Sequence, residues 1–278
     1  MKSIGIVGTG IMGSGIAANF LKHDYSVFVW NKTADKVKIQ GAVMCTTPRE
    51  VTEHSEIVFE VTAHDESSRM AWLGDEGILA GASTNKVLIA SSTLSIAWVD
   101  ELVSLCKKRK LKFLDMAMTG SRMGAESGQL IFLAGGDPTV LDSIREDLKA
   151  ISKEVIYFGS AGSGMRYKLI LNMLQAIHIV GVGEALQLAK TVGLDVKKVG
   201  NALAEYPGGI ITKRAWDNYQ NPPGQVNFAT KWIAKDLEYA KTMTGDKTTF
   251  ALLESVLVRY QQALRDGFGD EDWTKVNA

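Results

Sequence analysis

The 278-residue chain carries 31 Lys+Arg against 31 Asp+Glu, and 46 % of it is hydrophobic. This is the make-up of a soluble globular protein of one large or two ordinary domains. With a net charge of zero it has no basic excess for nucleic acid and no polybasic patch for a membrane. The two cysteines, Cys45 and Cys106, lack metal or redox spacing and fit a reduced, cytoplasmic setting. The histidines at 23, 54, 64 and 178 are scattered, so no metal site is expected.

The chain opens "MKSIGIVGTGIMG". This apolar run is short, broken by glycines and without a cleavage region, so no signal peptide is expected. No other segment approaches the roughly 20 consecutive apolar residues of a membrane span. Strand-like runs follow at 3–8, 26–31, 56–61, 86–91, 112–118, 130–136 and 155–159, with helical stretches such as 13–23 and 96–110 between several of them. That alternation predicts βαβ units and a mostly parallel sheet. Beyond Gly164 helical periods take over, at 164–191, 195–205, 210–219, 229–244 and 249–266, with "NYQNPPGQ" (218–225) as the clearest break. The predicted fold is α/β: a Rossmann-type domain over 1–162, then an all-helical domain over 163–278, joined by a long helix.

Gly8-Thr9-Gly10-Ile11-Met12-Gly13 is a GxGxxG that follows a strand and opens a helix. Glycines permit the tight turn and the close approach of a pyrophosphate, and the helix N-terminus supplies amides. About 20 residues on, where an acidic residue would bind a ribose 2′-hydroxyl, stand Asn31, Lys32 and Thr33. No carboxylate is there to repel a 2′-phosphate and Lys32 can pair with one. NADP is favoured, with NAD still open.

The second glycine-rich segment, "DMAMTGSRMGAESGQLIFLAGGD" (115–137), is expected to lead into a strand rather than a helix. Its Thr-Gly-Ser run offers a small anion nest suited to a carboxylate, although a glycine-rich hairpin without ligand reads equally well. In "GSGMRYKLILNMLQAIHIVGVGEALQLAK" (162–190), Lys168, Asn172 and Gln175 share a stripe that continues through Ile179, Val182 and Leu186. The opposite side (Ile170, Met173, Leu174, Ile177) is apolar too. A helix apolar all round is normally buried, and a lysine is almost never buried unless paired, so Lys168 either snorkels from the first helical turn to solvent or is held there for chemistry.

Taken together, "GIVGTGIMG", "SST" (91–93), "DMAMTGSRMGAESGQL" set against DAPVSGGxxGAxxGTL, "GSGMRYKLILN", "FATKWIAKDLEYA" (228–240) and "ALRDGFGDED" (263–272) resemble the β-hydroxyacid dehydrogenase family. These are enzymes of the 3-hydroxyisobutyrate dehydrogenase and semialdehyde or glyoxylate reductase type, related in fold to 6-phosphogluconate dehydrogenase. The resemblance implies that Lys168 is catalytic, with Asn172 orienting the substrate. It implies substrate binding by Thr119 and Gly120, with Ser121 and Arg122 beside them, and a place for Thr93 near the nicotinamide. Phe228, Lys235 and Asp236 match the segment that closes over cofactor and active site, and a homodimer or homotetramer is implied. Three departures fall in the anion nest: Ala117 stands for the family's proline, Ser121 for a glycine, and Arg122 follows directly. Glu60, at the end of a strand, is unusual for a position facing the cofactor.

The expected activity is hydride transfer between a nicotinamide and a small 3-hydroxyacid or aldehyde acid. Lys168 would donate the proton and stabilise charge on the carbonyl oxygen. An imine reductase on the same scaffold is the nearest alternative, although that group typically carries a different residue at the position of Lys168. Decarboxylating sugar-phosphate dehydrogenases have a longer helical domain. A non-catalytic NADP-binding module is the alternative from another class, and retention of Lys168, Asn172 and Lys235 argues against it. Met118, Met123, Tyr206, Phe228 and Trp232 are expected to shape the pocket.

Overall fold

The computed structural model describes residues 2–33, 39–205, 209–243 and 251–277. Tyr206 lies outside the described residues. The chain divides into two compact units, Met1–Lys168 and Leu169–Ala278.

The first unit is built on one sheet of eight strands: β1 (Ser3–Val7), β2 (Ser26–Trp30), β3 (Val43–Met44), β4 (Ile57–Glu60), β5 (Val87–Ala90), β6 (Lys112–Thr119), β7 (Leu130–Gly136) and β8 (Ser152–Gly159). Their order is β3-β2-β1-β4-β5-β6-β7-β8. Every neighbouring pair is parallel except β6 and β7. The order reverses direction at β1, and in open α/β sheets ligands bind at the carboxyl ends of strands beside such a switch point.

The unit's helices are α1 (Ile11–Lys22), α2 (Pro48–His54), α3 (Asp65–Trp72), α4 (Ile78–Gly81), α5 (Ile96–Lys108), α6 (Ser121–Ser127) and α7 (Pro138–Leu148). The central strands β4 and β5 are buried at every residue, which is why they read as unbroken apolar runs rather than alternating ones. The core packs Ile4, Ile6, Phe20, Phe59 and Phe132, all without exposed surface.

Two local expectations change. The second glycine-rich segment does lead into a helix: α6 starts at Ser121 after Gly120 (φ 121°) and stops at Gly128, which is left-handed (φ 68°). Seven residues between glycines are too short to show helical periodicity. β3, with only two residues, lacks a strand signal for the same reason.

The second unit contains most of α8 (Ser163–Thr191), which begins in the first, followed by α9 (Val196–Glu205), α10 (Gly209–Gln220), α11 (Thr230–Thr242), α12 (Ala251–Arg265) and a 3-10 helix at Trp273–Asn277. Two late sequence motifs clasp one another here. The Thr230 amide donates to the Glu271 carbonyl at 2.9 Å, that of Lys231 to Gly269 at 3.0 Å, and that of Trp273 to Phe228 at 2.9 Å. The buried Thr230 hydroxyl donates to the Asp272 carbonyl at 3.1 Å.

The stripe on α8 is buried except at Gln175, which is half-buried: Lys168, Asn172, Ile179, Val182 and Leu186 are all below 9 % exposed. The opposite side is not. Ile170 and Leu174 are 49 % and 47 % exposed, so near its start the helix buries Lys168 and Asn172 while showing apolar side chains to solvent. By length and composition α8 alone among the described helices could cross a membrane; a buried lysine and asparagine on its inner stripe are features of a core helix.

What starts α8 where it starts is Asp115, in the middle of β6. Its carboxylate accepts from the Gly162 amide at 2.6 Å and the Met165 amide at 2.8 Å, the donors that a helix N-terminus leaves free. Burial pushes its pKa up to about 6, against those two hydrogen bonds. A carboxyl with a raised pKa binds its proton more tightly folded than unfolded, so its contribution is full at low pH and is lost as pH rises through the folded value. The advantage of wild type over Asp115→Asn in urea unfolding should therefore shrink by about 3 kcal/mol between roughly pH 3 and pH 7.

Candidate active site

β1 ends at the turn that carries the GxGxxG. Gly8 has φ 103°, and a Cβ there would stand 2.3 Å from the Val61 carbonyl oxygen, so only glycine lets this turn lie against the end of β4. At Gly13 a Cβ would fall 1.9 Å from the Gly8 carbonyl oxygen. Gly10 is different: a Cβ there meets nothing within 4 Å. It precedes α1 without a side-chain cap, which leaves first-turn amides without intrahelical partners. Beside it Thr9 is fully buried, and its Oγ1 makes no hydrogen bond. Open space, free amides and an orphaned hydroxyl are a donor set that suits a pyrophosphate, so these residues fit a dinucleotide.

The loop opens into a groove of about 580 Å³ that also takes in Ser14 and Gly15 of α1, with Arg122 and Glu126 of α6 lining it as well. Ile11 lines it too and is exposed, while Met12 is half-buried. The "WNKT" turn adjoins the loop, because the Gly8 amide donates to the Trp30 carbonyl at 2.8 Å. Asn31 is half-buried and its side-chain amide donates to the Thr33 carbonyl at 3.2 Å. Lys32 and Thr33 are exposed.

At the carboxyl ends of β4 and β5 the structure accounts for Glu60. It is fully buried, and Oε1 accepts from the Ser92 hydroxyl at 2.6 Å, the Thr62 hydroxyl at 2.5 Å and the Thr62 amide at 3.2 Å. The Trp72 indole faces the carboxyl without closing a hydrogen bond on Oε2. Burial pushes the Glu60 pKa up, against the hydrogen bonds from Ser92 and Thr62. The carboxyl ties the end of β4 to the Ser91-Ser92-Thr93 turn, whose last residue is half-buried.

Thr119 ends β6, half-buried, and Gly120 is exposed. Ser121 sits at φ 55°, a left-handed conformation that strains a residue with a side chain by about 1 kcal/mol. Lys168 is 8 % exposed on α8. The Leu94 amide, next to Thr93, donates to the Met165 sulfur at 3.3 Å, and Met165 lies three residues before Lys168, on the neighbouring turn of the same side. The SST turn and the lysine are thus referred to one stretch of α8.

In the second unit, the Asn172 side-chain amide donates to Asp236 Oδ2 at 2.6 Å. Lys235 Nζ lies 2.8 Å from Asp236 Oδ1, and Asp236 is 1 % exposed. This makes Asp236 the residue that orients Asn172. Phe228 is half-buried, its ring edge-on to Trp273 at 5.5 Å. Sequence reasoning missed Asp115 and the pairing of Asn172 with Asp236; a carboxylate inside the otherwise apolar run "KFLDMAM" was the available signal for the first.

Residues 3–159 match the NAD binding domain of 6-phosphogluconate dehydrogenase. Residues 162–277 match the NAD-binding domain of NADP-dependent 3-hydroxyisobutyrate dehydrogenase. Mitochondrial 3-hydroxyisobutyrate dehydrogenase of Rattus norvegicus is 30 % identical over 290 residues, 98 % of this chain and 85 % of that protein. The chain belongs to the β-hydroxyacid dehydrogenase family, a family of NAD(P)-dependent oxidoreductases. The cytokine-like nuclear factor N-PAC of Xenopus tropicalis is 32 % identical over 248 residues, 86 % of this chain. The match covers 46 % of that protein, so the chain spans less than half its length. The structure of Mycobacterium tuberculosis 3-hydroxyisobutyrate dehydrogenase with L-serine shares the β-hydroxyacid dehydrogenase fold, with a TM-score of 0.89 at 24 % identity over 100 % of this chain and 98 % of that one.

The three loop glycines separate packing from ligand space. Gly10→Ala, whose backbone (φ −69°) suits any residue, should leave urea-unfolding stability within about 0.5 kcal/mol and weaken binding of the nicotinamide dinucleotide by roughly tenfold or more. Gly13→Ala should destabilise the fold itself, by about 1–3 kcal/mol.

Proposed function

We propose that the protein is an NADPH-dependent reductase of a small aldehyde acid, acting in reverse as a 3-hydroxyacid dehydrogenase. The observation that carries this reading is the buried Lys168, fixed on a helix whose first turn is bonded to the SST turn. A nicotinamide, when bound, supplies or takes the hydride. As negative charge grows on the carbonyl oxygen, the Lys168 ammonium stabilises it and donates its proton to that oxygen. In the other direction neutral Lys168 accepts the proton of the alcohol. Asn172, one turn along and aimed by Asp236, orients the same group. Thr119, Gly120 and Ser121 hold the carboxylate with hydroxyls and amides. Lys32, exposed beside the phosphate loop, pairs with a 2′-phosphate.

The similarity to a protein named as a nuclear factor favours a second reading, a nicotinamide-binding module without turnover. The two part on one assay: oxidation of NADPH and NADH with glyoxylate, tartronate semialdehyde, methylmalonate semialdehyde and succinic semialdehyde, beside direct NADPH binding. Turnover of an aldehyde acid supports the reductase, whereas binding without turnover on any of them supports the module.

Lys168→Ala should lower kcat by roughly 10²- to 10⁴-fold while NADPH still quenches protein fluorescence with unchanged affinity. A variant that keeps wild-type turnover would sink the role given to Lys168. Lys32→Ala should reduce the preference for NADPH over NADH by about tenfold, read as the ratio of the two kcat/KM values.

A further inference from the structure

Arg122 is expected in the substrate's anion nest, yet its side chain lines the groove that begins at Thr9, Gly10 and Ile11. Thr119, Gly120 and Ser121 do not line that groove among the described residues. The placement is built into the fold. A Cβ on Gly15 would stand 2.7 Å from the Ala125 carbonyl oxygen, so α6 lies against α1 with no room for a methyl group. Asn19, buried in α1, donates to the carbonyls of Ala125 at 2.7 Å and Glu126 at 3.3 Å. Arg122 and Glu126, four residues apart, share a face of α6, and this face looks into the groove.

The guanidinium is poorly matched in its own protein. Its side chain is 20 % exposed, Nε is buried without a hydrogen-bond partner among the described residues, and its one ion contact among them, to Glu126, is a loose 3.7 Å. A buried donor without a partner calls for an ordered water, an ion or a ligand. Thr9 Oγ1, buried in the same groove, is orphaned as well. A planar fork of N–H donors is the group best shaped for two phosphate oxygens.

We propose that Arg122 is a cofactor residue: from the α6 wall of the groove its guanidinium donates to the pyrophosphate of the dinucleotide that the glycine loop holds, not to the carboxylate of the substrate. The inference rests on the family's nicotinamide dinucleotide being the ligand of this loop. Glu126 is then a competitor, a carboxylate that holds Arg122 loosely and repels the same phosphate.

The test measures binding on the whole protein, by calorimetry with ADP-ribose, which has the pyrophosphate and no nicotinamide, and by NADPH fluorescence. Arg122→Met should raise both dissociation constants by roughly 10- to 100-fold, with Arg122→Lys in between. Glu126→Gln, which leaves the arginine in place, should tighten both by a few-fold. The KM for the aldehyde acid at saturating NADPH should stay within twofold in all three variants. The proposal is overturned if ADP-ribose affinity is unchanged in Arg122→Met and Glu126→Gln, or if the KM for the aldehyde acid rises instead. Failure of wild type to bind either ligand overturns the proposal together with the functional reading, and so is told apart from failure of Arg122 alone.

Discussion

One carboxylate in the interior of the sheet sets the phase of α8, the helix that carries Lys168. Asp115 leaves β6 to meet two amides at the start of α8. The second of them belongs to Met165, whose sulfur receives the Leu94 amide. These bonds hold the first turn of α8 from two directions. A slip of one residue would turn the helix by about 100° and carry Lys168 away from its buried stripe, toward the side where Ile170 and Leu174 now meet solvent. The cost is a charge in an apolar place, and the backbone amides only partly offset it. Natural folds commonly carry such local expense beside a functional group.

The carboxyl ends of the parallel strands hold the remaining pieces. β1 delivers the glycine loop, β2 the Asn31–Thr33 turn, β4 the Glu60 and Thr62 pair, and β5 the SST turn. Glu60 belongs to this edge as a fastener: its hydrogen bonds join two loops that the sheet itself leaves unpaired. A carboxyl buried among hydroxyls does this at the price of desolvation. A hydroxyl at position 60 would reach fewer partners, having one oxygen in place of two.

Local patterns were the legible part of the molecule. The GxGxxG was readable because its meaning depends on neighbours in sequence: a strand before it, a helix after it and glycines at fixed spacing. The long helix showed itself through periodicity, and the anomaly of Lys168 through the apolar company it keeps. Features closed by distant residues were out of reach. Asn172 meets Asp236 across 64 positions, and nothing near either residue announces the other. The same holds for Arg122, whose role follows from the contact of Gly15 with Ala125, 110 positions away in sequence and touching in space. α6 was invisible for a further reason, since seven residues between two glycines carry almost no helical signal of their own.

The contact between Gly15 and Ala125 also bears on how the cofactor groove can change. A wall set at backbone distance cannot be moved gradually: any side chain at position 15 displaces α6 as a block, and Asn19, which clamps its carboxyl end, has to follow. Directed evolution of nicotinamide preference would therefore meet two kinds of position in one groove. At 122 and 126, variation retunes charge on a fixed frame. At 15, 19 and 125, a useful change must come as a coordinated set, so libraries that vary those sites singly would return mostly losses.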